Sequence, residues 1–499
     1  MILVTKKNDV YLHIDCDMST GYELSDYFSF KVPNAHFHPK VKAKLWDGKI
    51  RLFSTWKHTL YVGLVHWLDK FAKDRGYEIF YADETLDPNK NSSRYDKDDV
   101  KKFIDTLDVH TKGKAIQPKE YQSSTLLEVF NKDRVLFVSP TGSGKSYNAY
   151  AMCRWWENIL QGKKKILLVV PTTSLVEQMY SDFDDYASEV KWSSEKHCHR
   201  IYSGKEHTTK KPIILSTWQS LFRKPKSYFK QFGAVIIDEC HLAKADSLKG
   251  IMEKLEDCVY KVGMTGTLDD CQTNKLVLEG LFGKVFKATT TKKLMDSGDL
   301  ASLSVDCIIL KYPEQECSAC KKLKYQEEKD YIVAHKKRNK FVCDLSISLK
   351  TNTLVLYQLV EKHGRPLYES IKKKAGKNRK VFFVYGGTDA KDRESIRQIV
   401  ETETNAIIVA SYGTFSTGIN IRNLSNIIFA SPYKAKIKVL QSIGRGLRIS
   451  KQKTTARLFD IVDDLRYKKH INYSMNHYLI RVGIYNKEQF KYKTIKIKL

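Results

Sequence analysis

Apolar and polar residues alternate from the start of the chain. Val10, Leu12 and Ile14 are interleaved with Tyr11, His13 and Asp15, the period of a half-buried strand. Thr20-Gly-Tyr-Glu23 has the spacing of a capping box and precedes Leu24, Tyr27 and Phe28, which predicts a helix. Leu64, Leu68 and Phe71 form a helical stripe that Gly76 would terminate. Further on the pattern changes to short β-branched runs separated by helix-length stretches: Val135 to Val138, Ile166 to Val170, Ile213 to Ser216, Ala234 to Ile237 and Lys261 to Met264. Such runs predict a parallel sheet covered on both faces. The pattern recurs in Thr353 to Tyr357, Val381 to Tyr385, Ala406 to Ala410, Asn426 to Ala430 and Ala456 to Asp460. The expected fold is therefore α/β, with two tandem parallel-sheet domains over 113–297 and 298–455. A small α+β module over 1–92 precedes them, joined by a polar linker over 93–112 in which Asp98 to Leu107 reads as a helix. A basic extension occupies 456–499.

Within the amino-terminal module, Asp47-Gly48 is a two-residue hairpin signal. That turn would pair Leu45 with Ile50 and Ala43 with Leu52, turning Lys42, Lys44, Trp46, Lys49, Arg51 and Phe53 to the other face. Lys44 opposite Arg51 is a like-charge pair that costs stability unless an anion lies across it. The face is expected to contact nucleic acid; the alternative is a solvated face with Trp46 packed on a neighbouring domain.

Charge favours the first reading. The 499 residues carry 85 Lys and Arg against 57 Asp and Glu, a formal charge of +28, which suits a polyanionic partner. Residues 468–499 carry eight basic side chains against Glu488, interleaved with Tyr473, Tyr478, Tyr485, Phe490 and Tyr492, and are expected either to contact nucleic acid or to pack on the second α/β domain. No apolar run approaches a membrane span, and the first residues are too few for a signal peptide, so a soluble, non-exported protein is expected. The ten cysteines show no repeating spacing, and Cys317-Ser-Ala-Cys320 reads as two free thiols on an exposed helix. Cys307, His335 and Cys343 are too irregularly placed to complete a zinc site.

The chemistry-bearing stretch is Val135-Leu-Phe-Val-Ser-Pro-Thr-Gly-Ser-Gly-Lys-Ser146, a strand, a glycine-bearing loop and a helix start in the order a phosphate-binding loop requires. Gly142 and Gly144 let the backbone approach an anion, so the amides of Thr141, Gly142, Ser143 and Gly144 can point at phosphates. Lys145 would reach the β- and γ-phosphates and the Ser146 hydroxyl would ligate Mg²⁺. Ser139 stands where the motif usually begins with glycine. Ala234-Val-Ile-Ile-Asp-Glu-Cys-His241 then sets two carboxylates at a strand's carboxyl end, where ligands of open α/β sheets bind. Asp238 can share the metal with Ser146, and Glu239 can polarise the attacking water. Met264-Thr-Gly-Thr267 is a third strand end, with small hydroxyl residues. Gln441-Ser-Ile-Gly-Arg-Gly-Leu-Arg448 sets Arg445 and Arg448 on one helical face, suited to a γ-phosphate presented across a cleft.

In order, Tyr121-Gln122, Ser139 to Ser146, Val170 to Gln178, Ser216 to Gln219, Asp238 to His241, Thr265 to Thr267, Leu354 to Tyr357, Ala410 to Asn420 and Gln441 to Arg448 resemble the motifs of superfamily 2 helicases, over roughly 116–450. More narrowly, Tyr27-Phe-Ser-Phe30, the Trp46-Asp-Gly48 turn, the Asp-Glu-Cys-His form and Ala410 to Gly413 resemble the recombination helicases of T-even bacteriophages. The resemblance implies RecA-like folds for both α/β domains, ATP and Mg²⁺ as cofactors, and Gln122 as the reader of adenine. It implies that Gly418 and Asn420 lie near the nucleotide and that His241, Thr265, Thr267 and Gln441 couple its state to motion. It further implies strand contacts at Pro171, Thr172, Thr217, Ser411 and Thr414. The expected activity is ATP-driven remodelling of branched DNA, forks, D-loops and RNA–DNA hybrids by a monomer in the host cytoplasm, with single-strand-binding or recombination proteins as partners. An RNA-duplex helicase, a protein-displacing translocase and a non-catalytic ATP-gated nucleic-acid binder remain open alternatives.

Overall fold

The computed structural model of the chain describes residues 1–89, 93–202, 208–242, 245–268, 274–377, 379–418, 421, 423–431, 443–444 and 455–499. The chain forms two compact units, one of Met1–Ser139 with Gly144–Ala288 and the other of Thr289–Leu499 with the short loop segment Pro140–Ser143.

The first unit opens with strands Ile2–Lys6 and Tyr11–Asp15, paired antiparallel, flanked by Thr59–Tyr61 on one side and by Ile79–Tyr81, parallel to the first strand, on the other. Val10, Leu12 and Ile14 are buried, as their alternation predicts. The Val65–Arg75 helix ends at Gly76 with φ +70°, the left-handed stop that glycine adopts without a Cβ penalty. The Met18–Tyr27 helix is capped by Asp17, which accepts from Thr20 N at 2.9 Å. Thr20 is thus inside the helix and is not its cap, correcting the expected capping box.

The hairpin expectation is also corrected. Lys49–Arg51 pairs with Ser29–Lys31, Phe30 facing Ile50, and Arg51 lies opposite Ser29, not Lys44. Pro39–Lys42 forms one helical turn, because proline at a first helical position needs no amide partner and His38 accepts from Lys40 N. Asp47 closes its turn locally by accepting from Lys49 N at 3.0 Å. Lys49 pairs with Asp26 at 2.6 Å and Arg51 with Asp47 at 2.6 Å, so these two cations are internally neutralised. The Trp46 indole donates to Lys49 O at 2.8 Å.

The Lys97–Leu107 helix, expected within a linker, is part of a core. Asp96 and Asp99 form its capping box, and Val100, Phe103, Ile104 and Leu107 are buried. Phe103 meets Phe130 and Trp155 with ring centroids 5.7 and 4.8 Å apart. Behind it stands a seven-stranded sheet in the order Cys198–Ile201, Ile213–Thr217, Lys165–Val170, Phe232–Ile237, Tyr260–Thr265, Arg134–Val138, Val285–Lys287, with every pair parallel. The two edge strands were not anticipated from the pattern.

The amino-terminal module and this sheet are docked tightly. Asp9 O accepts from the buried Lys261 Nζ at 2.7 Å and from Arg134 Nη2 at 2.5 Å. Tyr61 donates to Glu253 at 2.5 Å and Trp67 to Glu279 at 3.2 Å. A Cβ on Gly63 would sit 2.2 Å from Glu279 O, so backbone meets backbone there.

The second unit holds another seven-stranded parallel sheet, in the order Val381–Val384, Ile407–Ser411, Thr353–Tyr357, Asn426–Phe429, Thr455–Asp464, Ser302–Lys311, Lys491–Lys498. The carboxyl-terminal stretch supplies an edge strand and the Tyr473–Lys487 helix, so it is not an appended extension. Arg481 in that helix is fully buried against Asp460, Nε donating to Oδ2 at 2.8 Å, and Tyr485 donates to the same oxygen at 2.8 Å. Arg338 and Asp463 form a second buried pair at 2.7 Å. Cys317 and Cys320 do lie on a helix, Glu314–Cys320, but both thiols are buried with Tyr312 and Ile332, against the exposed setting expected. Among the described residues no helix is long and apolar enough to cross a membrane.

Candidate nucleotide site and motor family

The site is assembled at the carboxyl ends of adjacent parallel strands. Arg134–Val138 ends in the glycine-bearing loop, in which Gly142 and Gly144 take φ of +89° and +80°, values that strain residues with a Cβ. The Lys145–Leu160 helix starts from Gly144. A Cβ at Gly144 would lie 2.3 Å from Gln122 Nε2, so the absence of a side chain brings Gln122 against the loop. Gln122 Oε1 in turn accepts from Lys119 N at 2.8 Å.

Two strands away, Phe232–Ile237 delivers Asp238 and Glu239. Lys145 Nζ lies 3.3 Å from Glu239 Oε1 and donates to Ser139 O at 3.2 Å. Asp238 is buried and accepts from Glu239 N at 2.9 Å. Burial first, and the neighbouring Glu239 charge second, push the Asp238 carboxyl up to about 7. Burial also disfavours the Glu239 carboxylate, but Lys145 and then His241 outweigh it and hold that acid below its usual range.

Glu239 continues the network into the next strand end. His241 Nδ1 lies 3.3 Å from Glu239 Oε2 and 2.6 Å from Thr265 Oγ1. Thr265 donates to Thr267 O at 2.7 Å and accepts from Thr267 N at 3.2 Å, and Gly266 N donates to Glu239 Oε2 at 3.4 Å. Ser139 N donates to Thr265 O at 2.9 Å. One hydrogen-bonded line therefore joins the lysine of the loop, the second acid and the Thr-Gly-Thr turn. Burial lowers the His241 imidazole pKa, with the neighbouring Glu239 carboxylate opposing that shift.

Other expected residues are placed singly. Ser146 Oγ lies 2.9 Å from the Tyr186 hydroxyl. Thr172 caps the Thr173–Tyr186 helix by accepting from Leu175 N, and Pro171 precedes it at the end of Lys165–Val170. Thr217 pairs with Ser220 at 3.1 Å. In the second unit Ser411 and Thr414 hydroxyls are 2.8 Å apart at the start of the Tyr412–Gly418 helix. Asn420, Gln441, Arg445 and Arg448 fall outside the described residues.

Two participants had no sequence signal. Tyr186 holds the Ser146 hydroxyl from 40 residues away. Tyr147 lines a recess with Ile104, Asp105, Ile116 and Gln117, and its buried hydroxyl has no hydrogen-bond partner among the described residues.

Two family models match stretches that contain the two parallel-sheet units, and a third matches the amino-terminal module. "Type III restriction enzyme, res subunit" matches residues 97–270, "Helicase conserved C-terminal domain" matches 337–450, and "DNA helicase UvsW, N-terminal" matches 2–82. The chain is 35% identical to the ATP-dependent DNA helicase uvsW of Enterobacteria phage T4, over 98% of both proteins. The chain belongs to the UvsW family of superfamily 2 helicases. The crystal structure of T4 UvsW matches all of the chain and 99% of its own length, with a TM-score of 0.53 and 32% identity. A probable helicase of Escherichia phage T5 is 24% identical, covering 66% of this chain and 68% of its own. In this UvsW-family chain the lysine, acid pair and Thr-Gly-Thr turn all lie on the first sheet, and the amino-terminal module is docked on that same unit.

Proposed function

We propose that this chain is an ATP-driven DNA helicase that remodels branched DNA, including forks, D-loops and R-loops, by moving along one strand. The observation that carries it is the continuous line from Lys145 through Glu239 and His241 to Thr265 and Thr267, which ties phosphate-facing groups to a neighbouring strand end. A triphosphate engaging Lys145 competes with Glu239 for the ammonium, so nucleotide state alters the contacts of Glu239 and, through His241, those of Thr265.

Gln122, braced by Lys119 N and pressed against Gly144, reads the adenine, and the amides of Thr141 to Ser146 cradle the phosphates. Glu239 orients and activates water. Mg²⁺ fits the donor set: Asp238 is a buried carboxylate whose ionisation burial opposes, which a divalent cation would reverse, and Ser146 can donate to Tyr186 while keeping its lone pairs for a cation. Bound there, the cation would neutralise charge developing on the transferring phosphoryl group. By the family resemblance, Arg445 and Arg448 would stabilise the same charge, with Gly418, Asn420 and Gln441 relaying the nucleotide state. Pro171, Thr172, Thr217, Ser411 and Thr414 hold strand phosphates at strand-end positions, which gives grip without base readout.

ATP hydrolysis and strand separation by the purified protein on forks, R-loops, linear duplexes and RNA hairpins test this. Branched DNA is expected to be unwound fastest, and Lys145→Ala to bind DNA without unwinding it. Preferential unwinding of RNA hairpins, or hydrolysis independent of any nucleic acid, would refute the proposal.

A further inference from the structure

The amino-terminal module carries a projecting arm. The chain leaves the core at the buried Phe28 and re-enters it at Leu52, and of the residues between only Gly48 is buried. The arm is nevertheless ordered by its own contacts. Ser29–Lys31 pairs with Lys49–Arg51 at its base, and Val32 N donates to Gly48 O at 2.8 Å. Higher up, the His38 and Trp46 rings meet edge to face at 5.4 Å and Leu45 N donates to Lys40 O at 2.8 Å. A Cβ on Gly48 would come within 2.9 Å of Ala35 Cβ, so the glycine permits the two limbs to close.

Charge is sorted along this arm. The arm's one carboxylate, Asp47, is engaged by Arg51, and Asp26 in the preceding helix is engaged by Lys49. Residues 30–46 contain Lys31, Lys40, Lys42 and Lys44 and no acid, and these four lysines form no ion pair among the described residues. Within that acid-free stretch Phe37 and Leu45 are 67% and 79% exposed, each next in sequence to one ring of the His38–Trp46 pair. Isolated exposed apolar side chains are common, but here two large ones stand on one self-braced projection that also carries four unpaired lysines among the described residues. An acid-free surface suits a polyanion better than a protein partner, and proteins that bend or open duplexes use this combination, with basic groups on the backbone and an apolar side chain driven between bases.

We infer that the arm over residues 29–51 is the element that engages the DNA branch point, with Phe37 and Leu45 inserted against the junction base pair and Lys40, Lys42 and Lys44 on the flanking phosphates. This rests on the proposed helicase activity and adds the location of strand opening. Lys49 and Arg51 brace the arm from within, so they are not the DNA-contacting cations.

The test uses the full-length protein and a fork carrying 2-aminopurine at the junction. Wild-type protein without nucleotide is expected to raise the fluorescence, reporting unstacking. Phe37→Ala with Leu45→Ala is expected to abolish that rise and slow fork unwinding by about tenfold or more, the equivalent of ~1.4 kcal/mol, while ATP hydrolysis stimulated by single-stranded DNA is unchanged. Phe37→Leu with Leu45→Met should restore unwinding. Replacing Lys40, Lys42 and Lys44 by Gln should make the log–log salt dependence of fork binding shallower by roughly 3. Wild-type fluorescence and unwinding in the alanine variant, an unchanged salt slope in the glutamine variant, or a uniform loss of hydrolysis on every DNA would each overturn the inference. A wild-type protein that hydrolyses no ATP with DNA would instead overturn the helicase reading itself.

Discussion

Glu239→Gln keeps the shape of the side chain and removes its charge, and the surroundings of that carboxylate determine the effect. It lies 3.3 Å from Lys145 Nζ and 3.3 Å from His241 Nδ1, and accepts from Gly266 N at 3.4 Å. A unit-charge pair at that separation is worth about 5 kcal/mol at an effective dielectric near 20. Desolvation of both groups offsets much of it. Neutralising Glu239 therefore frees Lys145 for the triphosphate and removes a negative charge from the phosphate site, so ATP affinity should hold or rise. Loss of Glu239 as the proposed activator of water should lower hydrolysis by about 10²- to 10⁴-fold. Single-turnover hydrolysis at saturating DNA, measured alongside the dissociation constant of a fluorescent ATP analogue, separates the two effects. A slow rate with unweakened binding is the expected signature. Hydrolysis at the wild-type rate, or affinity falling in step with the rate, would show that Glu239 merely holds Lys145 in place.

Three further outcomes concern buried groups. Arg481→Met strands the Asp460 carboxylate in the core and should destabilise the second unit by roughly 3–5 kcal/mol in urea denaturation, with Asp460→Asn in the same chain recovering most of the loss. Gly63→Ala places a methyl 2.2 Å from Glu279 O and 2.6 Å from Gly280 O, neither able to retreat cheaply, and should cost about 1–3 kcal/mol and expose the amino-terminal module to limited proteolysis. Burial holds the Lys261 ammonium down to about 7, below its value in the unfolded chain, so between that pH and about 10 the unfolded state binds the extra proton. Stability should therefore rise with pH across this window, by up to ~1.4 kcal/mol per unit, and Lys261→Met should flatten the slope in pH-resolved urea titrations.

The central strands of both sheets were legible because residues buried on two faces read as unbroken apolar runs, as Leu167-Leu-Val-Val170 and Val235-Ile-Ile237 do. Edge strands did not. Lys491–Lys498 alternates lysine with tyrosine, threonine and isoleucine and looks like a solvated tail, yet pairs in parallel with Ser302–Lys311, its lysines guarding the open edge. The arm was misread because Asp47-Gly48 is a strong local signal, whereas the true partner of Lys49–Arg51 begins about twenty residues earlier. Pro39 after His38 was the visible cue for the intervening helical turn. Spacing did place Lys145 at a helix start and Asp238 and Glu239 just past a strand end. Tyr186 was not, because its contact with Ser146 depends on how two helices pack.

The backbone of the site adds a point that spacing could not contain. Glu239 takes φ +46°, a region that L residues other than asparagine and aspartate seldom enter and that costs about 1–2 kcal/mol. Nothing about closing a strand-to-turn junction demands glutamate there, and glycine would adopt that angle at lower cost. The strain persists because three groups fix the side chain at once: Lys145 from the phosphate loop, His241 from the following turn and the Gly266 amide from the next strand end. Strain retained under such over-determination is what a pre-organised catalytic group shows. It also means that a ligand displacing Lys145 removes one of the three restraints. On the proposed function, the strained backbone beside Asp238 is then the element best placed to shift when the triphosphate arrives or leaves, with His241 and the Thr265 turn next along the hydrogen-bonded line.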